Sequence, residues 1–267
     1  MFSEDLIFIK NIKMKIFLFC ISIILCTPVS ASSLADVIEL TKKSVVAVGT
    51  VMPKRSPKSI FLGTGFVIGD GGLVVTNAHV LPKEISTKNI ETIAVFFRQD
   101  KHVRMLKAKV VAIDKEHDIA VLRLLGGKLP AIELANSKVR EGQLVAFTGY
   151  PIGMVLGVYP VTHRGIISAI SPIVLPAING RHLNAKLMRR LRAPYNVYQL
   201  DATAYPGNSG SPVYNPKTGK VIGIVNKVFV KESKETILSK PSGITYAIPI
   251  RYLDDLLKKS NLKVKKI

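Results

Sequence analysis

Asp201-Ala-Thr-Ala-Tyr-Pro-Gly-Asn-Ser-Gly-Ser-Pro-Val213 sets Ser209 between Gly207 and Gly210. A serine so flanked sits on a tight turn, where missing side chains let a carbonyl group approach and leave backbone N–H groups free to point at it. Taken alone the stretch could be an ordinary surface turn. Its meaning depends on the residues upstream.

Two other stretches answer it. Gly63-Thr-Gly-Phe-Val-Ile-Gly-Asp-Gly-Gly-Leu-Val-Val-Thr-Asn-Ala-His79-Val80 places a histidine directly after a strand, among small residues that leave its ring approachable. His117-Asp118-Ile-Ala-Val-Leu-Arg-Leu124 places a carboxylate at the mouth of an apolar strand, where it can be half buried and orient an imidazole. Each has a bland reading, a structural histidine or a strand-end aspartate. Together, in the order His79, Asp118, Ser209, the three stretches favour a catalytic reading over three bland ones.

The rest of the chain reads mainly as short β-branched strands: Val45–Val51, Thr92–Phe97, Ala108–Ile113, Ile119–Leu124, Gln143–Phe147 and Val221–Val225. Turn signals such as Asp70-Gly-Gly72 and Pro216-Lys-Thr-Gly219 separate them, so a sandwich or barrels is expected rather than a βαβ sheet. Helical patterning is confined to Leu34–Lys42 behind a Ser33 cap, Ala185–Arg192 behind Asn184, and a closing segment Ile250–Lys259. Leu125-Gly-Gly-Lys-Leu-Pro130 breaks the strand pattern and marks a boundary between two β units.

The chain has 267 residues, 48% of them hydrophobic, which excludes a disordered tail and a small disulfide scaffold. Read from Met14, Lys15 is followed by the apolar run Ile16 to Leu25 and small residues at Val29 and Ala31, the layout of a secretory signal peptide over residues 1–31. Met14 is then a candidate true start, and an uncleaved anchor is the alternative. Leu25 argues against a lipoprotein anchor at Cys26. Cys20 and Cys26, the only cysteines, would leave with the signal, so the exported protein would fold without a disulfide. Lys and Arg number 38 against 18 Asp and Glu, a formal charge of +20 that cleavage barely changes.

In Thr76-Asn-Ala-His-Val80, Asp118-Ile-Ala-Val-Leu122, Gly207-Asn-Ser-Gly210 and Gly243-Ile-Thr-Tyr-Ala-Ile-Pro249 the chain resembles the trypsin-like serine peptidases of the chymotrypsin fold, and among them the exported HtrA (Deg) proteases. Leu34-Ala-Asp-Val-Ile38, Ser44-Val-Val-Ala-Val48 and Thr162 to Ala169 extend the likeness over Leu34 to Leu257. The resemblance implies an all-β fold of two antiparallel six-stranded β-barrels with a C-terminal helix. Residues 32–129 would form the N-terminal barrel with His79 and Asp118, and 130–267 the second barrel with Ser209 and the closing helix.

It also implies roles. Ser209 would be the nucleophile, His79 its base and then acid, and Asp118 the orienting carboxylate, with an oxyanion hole of the Gly207 and Ser209 N–H groups. Thr203, Ala204 and Tyr205, with Val225, Asn226 and Lys227, would wall the substrate pocket. Thr203 stands where trypsins carry a carboxylate, so cleavage after small or medium apolar residues of protein or peptide substrates is expected. No cofactor and no metal are implied.

The chain departs from the family in two places. HtrA proteins usually continue into a PDZ domain, whereas only a short tail follows Pro249, so none is expected here. Gly-Asn-Ser-Gly-Ser211 replaces the usual Gly-Asn-Ser-Gly-Gly and is similar to V8-like glutamyl endopeptidases. Their specificity histidine is Val225 here, which removes support for glutamate selection. His102, His117, His163 and His182 match no family role and read as solvent-facing or structural.

Arg181-His-Leu-Asn-Ala-Lys-Leu-Met-Arg-Arg-Leu-Arg192 reads either as a solvated amphipathic helix or as a docking surface for anionic envelope material. Export and the lack of a stacking-aromatic motif disfavour nucleic acid as a partner. A rival from another class is a catalytically silent peptide- or polyanion-binding protein on the same fold, for which three intact triad residues would be superfluous.

Overall fold

The structure is a computed structural model that describes residues 33–136, 138–151, 158–173, 194–226 and 244–264. The signal expected over residues 1–31, the helix expected over Ala185–Arg192, the basic stretch Arg181 to Arg192 and the expected pocket residue Lys227 lie outside the described residues.

Among the described residues, twelve strands follow a short helix. Helix α1 (Leu34–Lys42) starts where Ser33 and Asp36 form a reciprocal capping box, the Asp36 N–H donating to Ser33 Oγ and the Ser33 N–H to the Asp36 carboxylate. Strands β1 (Val45–Val51), β2 (Ser59–Ile68), β3 (Leu73–Thr76), β4 (Thr92–Gln99), β5 (His102–Asp114) and β6 (Ile119–Leu125) close an antiparallel barrel in the order β1-β2-β3-β6-β5-β4. Strands β7 (Leu144–Gly149), β8 (Val161–Pro172), β9 (Asn196–Asp201), β10 (Pro212–Tyr214), β11 (Val221–Asn226) and β12 (Ile244–Pro249) close a second, and helix α2 (Ile250–Lys259) follows directly.

The pattern of β1 explains how the barrels meet. Val-Val-Ala-Val-Gly-Thr-Val is apolar without alternation because both of its faces are covered. Val46 and Val48 point into the first barrel beside Val74, Val95 and Leu122. Val45 and Ala47 face outward, against Phe96 and the Tyr150 ring that follows β7. The second barrel has its own interior around Val145, Phe147, Ile167, Leu200 and Val225.

A third cluster lies outside both interiors. Phe66, Ile68, Leu73 and Val121 from the first barrel meet Ile224 and Ile248 from the second, and Leu253, Leu256 and Leu257 of α2 complete it. Burying one such leucine stabilises by about 1.5 to 3 kcal/mol, so α2 fixes the barrels to each other as well as ending the chain. After β6 the chain passes Leu129, whose N–H donates to Gly71, and Ile132, whose N–H donates to Val67, before Leu134 pairs with Val221. Among the described residues no helix is long and apolar enough to cross a membrane.

Candidate active site

The cleft side of the first barrel is organised around one carboxylate. Asp118 opens β6 in a left-handed conformation, φ 59°, which a residue with a side chain adopts only when its surroundings hold it there. Its carbonyl oxygen accepts the Ala78 N–H at 3.1 Å and Asn77 Nδ2 at 3.0 Å, which fixes it to the turn after β3. Its carboxylate faces the next residue of that turn. Oδ1 accepts the His79 N–H at 2.9 Å, and Oδ2 lies 2.6 Å from His79 Nδ1.

With the carboxylate on Nδ1, the imidazole carries its proton there and keeps a lone pair on Nε2. A third donor arrives from the second barrel: Asn226 Nδ2, at the end of β11, reaches Asp118 Oδ2 at 2.8 Å. Asp118 is nearly buried while the His79 side chain stays 32% exposed, so the ring is held from behind and open in front.

Ser209 rests on two consecutive tight turns. Asn208 N donates to Tyr205 O at 3.0 Å across Pro206 and Gly207, and Gly207 has φ 98°, the type II arrangement that favours glycine at its third position. Ser211 N then donates to Asn208 O, with Gly210 at φ 87°. The loop is tied to the first barrel by Thr64, whose N–H donates to Ser209 O at 2.8 Å and whose hydroxyl donates to Gly207 O at 2.7 Å.

Among the described residues the N–H groups of Gly207 and Ser209 enter no internal hydrogen bond. Gly63 links the two halves: a Cβ there would stand 3.0 Å from the Ser209 carbonyl oxygen and 2.7 Å from Val80, the neighbour of His79. Ser209 Oγ and the His79 ring form no hydrogen bond, and such contacts often tighten only around a bound substrate.

Of the expected pocket residues, Thr203, Ala204 and Tyr205 lead into the serine turn half-buried, and Ala204 packs on the second-barrel cluster that holds Phe147 and Val225. Asn226 spends an amide donor on Asp118, a role its position in the sequence did not suggest. Thr64, Asn77 and Asn226 each act through a contact distant in sequence; Thr64 and Asn77 lie within the stretch Gly63 to Val80 that carries His79, whereas Asn226 lies in no such motif. A second His–Asp pair lies beside the first. His117 Nδ1 is 2.7 Å from Asp114 Oδ2, while Asp114 Oδ1 accepts the N–H groups of Glu116 and His117. Burial alone would raise the Asp114 pKa, but these hydrogen bonds outweigh it and hold the carboxyl below its ordinary range.

Comparison with known proteins agrees with this geometry. Residues 63–224 match the trypsin-like peptidase domain model. A probable periplasmic serine endoprotease DegP-like of Halomonas elongata is 35% identical over 190 residues, 71% of this chain and 33% of that protein. Serine protease HTRA1A of Danio rerio is 30% identical over 237 residues, 85% of this chain and 41% of that protein. The chain thus spans about a third to two fifths of these relatives.

Among solved structures, the HtrA-type protease AlgW with decapeptide is similar at TM-score 0.63 and 26% identity, covering 86% of this chain and 68% of that one. The serine endoprotease from Yersinia pestis gives 0.58 and 26%, covering 86% and 66%. On the family model and on the two barrels whose cleft it spans, the chain belongs to the trypsin-like peptidase domain family, with HtrA-type proteases among its relatives.

Proposed function

We propose that the protein is an exported serine endopeptidase in which His79, Asp118 and Ser209 act as a catalytic triad. The observation that carries this reading is the Asp118 carboxylate on His79 Nδ1 at 2.6 Å, next to a serine turn with two unused N–H groups. Ser209 Oγ attacks the scissile carbonyl as His79 Nε2 takes its proton. The imidazolium returns that proton to the leaving amine, and Asp118 stabilises the cation and holds the tautomer. The tetrahedral oxyanion is met by the N–H groups of Gly207 and Ser209, each worth roughly 3 to 4 kcal/mol when preorganised. A water activated by the same histidine then releases the acyl group.

The substrates are proteins or peptides, in keeping with a neighbour solved with a decapeptide. Cleavage follows small or medium apolar residues, because Thr203 supplies no carboxylate and Ala204 and Val225 offer apolar walls. Export rests on the signal over residues 1–31 and on relatives named periplasmic. Two folding units meeting near residue 130 are supported by the passage from Leu129 to Leu134 between the barrels.

Labelling with a fluorophosphonate tests the reading. The wild-type chain should be modified and Ser209→Ala should not. A folded wild-type chain that stays unlabelled, yet binds peptides, would favour the silent binding protein instead.

A further inference from the structure

The outer face of the first barrel carries a feature that neither its fold nor the cleft requires. In the β5–β6 register Lys109 stands directly opposite Arg123, and Lys107 opposite Leu125. Along β5 the same face continues through Met105 and Val103, while the alternate residues Leu106, Ala108, Leu122 and Leu124 turn into the barrel interior. Lys107, Lys109 and Arg123 are exposed, and among the described residues no ion pair engages them. Val103, Met105 and Leu125 are 46%, 41% and 44% exposed. Of the acids nearest this strand pair, Asp114 ends β5 and is held by His117, Asp118 precedes β6 and is held by His79, and Asp100 sits at the hairpin tip next to Lys101.

Like charges directly opposite each other weaken a strand pair, and three exposed apolar side chains add nothing to the barrel. The neighbouring stretches of outer face are covered: Phe96 on β4 by the Tyr150 cluster, and Val121 on β6 by α2. Among the described residues nothing covers this stretch, and it is cationic. Both barrels are closed, so it offers no strand edge to a peptide, and the outside of a barrel is convex rather than grooved. Basic side chains interleaved with apolar ones on a convex face match a lipid surface, where phosphates meet the cations and the apolar groups reach the acyl boundary.

We propose that this face docks the protein on an anionic phospholipid bilayer through Lys107, Lys109 and Arg123, with Val103, Met105 and Leu125 seated at the headgroup boundary. The docking is independent of the peptidase reading and of the segment Arg181 to Arg192.

The test is co-sedimentation of the exported chain, from Ser32 onward, with vesicles of equal parts phosphatidylglycerol and phosphatidylcholine, and with phosphatidylcholine alone. The wild type should bind the first and not the second. Lys107→Gln, Lys109→Gln and Arg123→Gln together should weaken binding by roughly 10- to 100-fold, leave peptide cleavage in solution unchanged, and leave the melting temperature equal to the wild type or higher, since the repulsion across the strand pair is relieved. Lys83→Gln, Lys88→Gln and Lys217→Gln, exposed lysines elsewhere, remove the same net charge and should weaken it by less than about threefold. Met105→Ser with Leu125→Ser should weaken the binding that persists at high salt, where charge is screened. Binding of the face variant at wild-type strength, equal losses in both triple variants, or loss only when the arginines of Arg181 to Arg192 become glutamine would each overturn the proposal.

Discussion

Thr64 of the first barrel donates its hydroxyl to the carbonyl of Gly207, in the turn that carries Ser209, at 2.7 Å. The same oxygen accepts the Tyr150 N–H at 3.0 Å, and the Thr64 N–H holds Ser209 O at 2.8 Å. One side chain therefore fixes the Gly207–Asn208 peptide, which lies between the Gly207 and Ser209 N–H groups. Thr64→Val keeps the volume and removes both hydroxyl bonds. It should lower stability by about 1 to 3 kcal/mol and slow fluorophosphonate labelling of Ser209 at least tenfold, with little change in KM. Thr64→Ser should restore most of the rate. A valine variant labelled at the wild-type rate would show that the turn holds itself.

The barrels were legible in the sequence because their strands are β-branched runs closed by glycine turns, and Val45–Val51 is read to its ends. Strands β2 and β8 were harder. Gly63 and Gly65 interrupt β2, and β8 mixes His163, Arg164 and Gly165 into its apolar pattern, so neither reads as a strand by composition. The placement of His79 against Asp118 followed from motif order alone. The donors that hold them did not, because Thr64 to Gly207 and Asn226 to Asp118 are contacts between barrels with no local signature. The specificity of the pocket is less legible still, since Lys227, one of the residues expected to wall it, lies outside the described residues.

His117 precedes Asp118 and stacks on Tyr252 of α2, ring centroids 4.1 Å apart and planes 16° apart, with Tyr195 meeting its edge at 4.6 Å. Its Nδ1 is clasped by Asp114, so the left-handed turn at Asp118 is anchored to the second barrel and to the closing helix. His117→Ala loses the clasp and the stack together. It should destabilise by about 1 to 3 kcal/mol and lower kcat more than it raises KM. A loosened Asp118 would also orient the His79 ring less firmly, which should slow fluorophosphonate labelling of Ser209. His117→Phe, which keeps the stack, should recover stability but not the labelling rate. Labelling at the wild-type rate in both variants would confine His117 to packing.

His163 lies stacked on Phe147 with centroids 4.9 Å apart, its Nε2 buried without a partner among the described residues, and burial holds its pKa below the ordinary histidine range. The folded chain therefore keeps it neutral at a pH where the unfolded chain, with an ordinary pKa of about 6.5, takes up a proton. Below that pH the unfolded state binds more protons, so stability is full above about pH 6.5 and declines as the pH falls. His163→Phe cannot take up that proton. Its melting temperature should fall less than that of the wild type between about pH 7.5 and 5.5, and parallel slopes would refute the assignment.

Ser211 stands where the family usually has glycine, and its hydroxyl is fully buried with no hydrogen-bond partner among the described residues. Its backbone still serves the turn, the N–H donating to Asn208 and the carbonyl accepting from Val225, and both bonds survive removal of the hydroxyl. Ser211→Ala should therefore be as stable as the wild type or more stable by about 1 to 2 kcal/mol, because an unpaired buried hydroxyl is costly. The same hydroxyl crowds Gly149, where a Cβ would run into Ser211 Oγ and stand 2.7 Å from Asn208 Oδ1 and 3.0 Å from Thr64 Oγ1. Gly149→Ala should accordingly push the serine turn aside, lowering both the melting temperature and the labelling of Ser209. In the Ser211→Ala background one of its three obstacles is gone, so the two substitutions should couple and the double variant should lose less than the sum of the single losses. Strict additivity in thermal denaturation would mean that Asn208 and Thr64, rather than Ser211, keep position 149 a glycine.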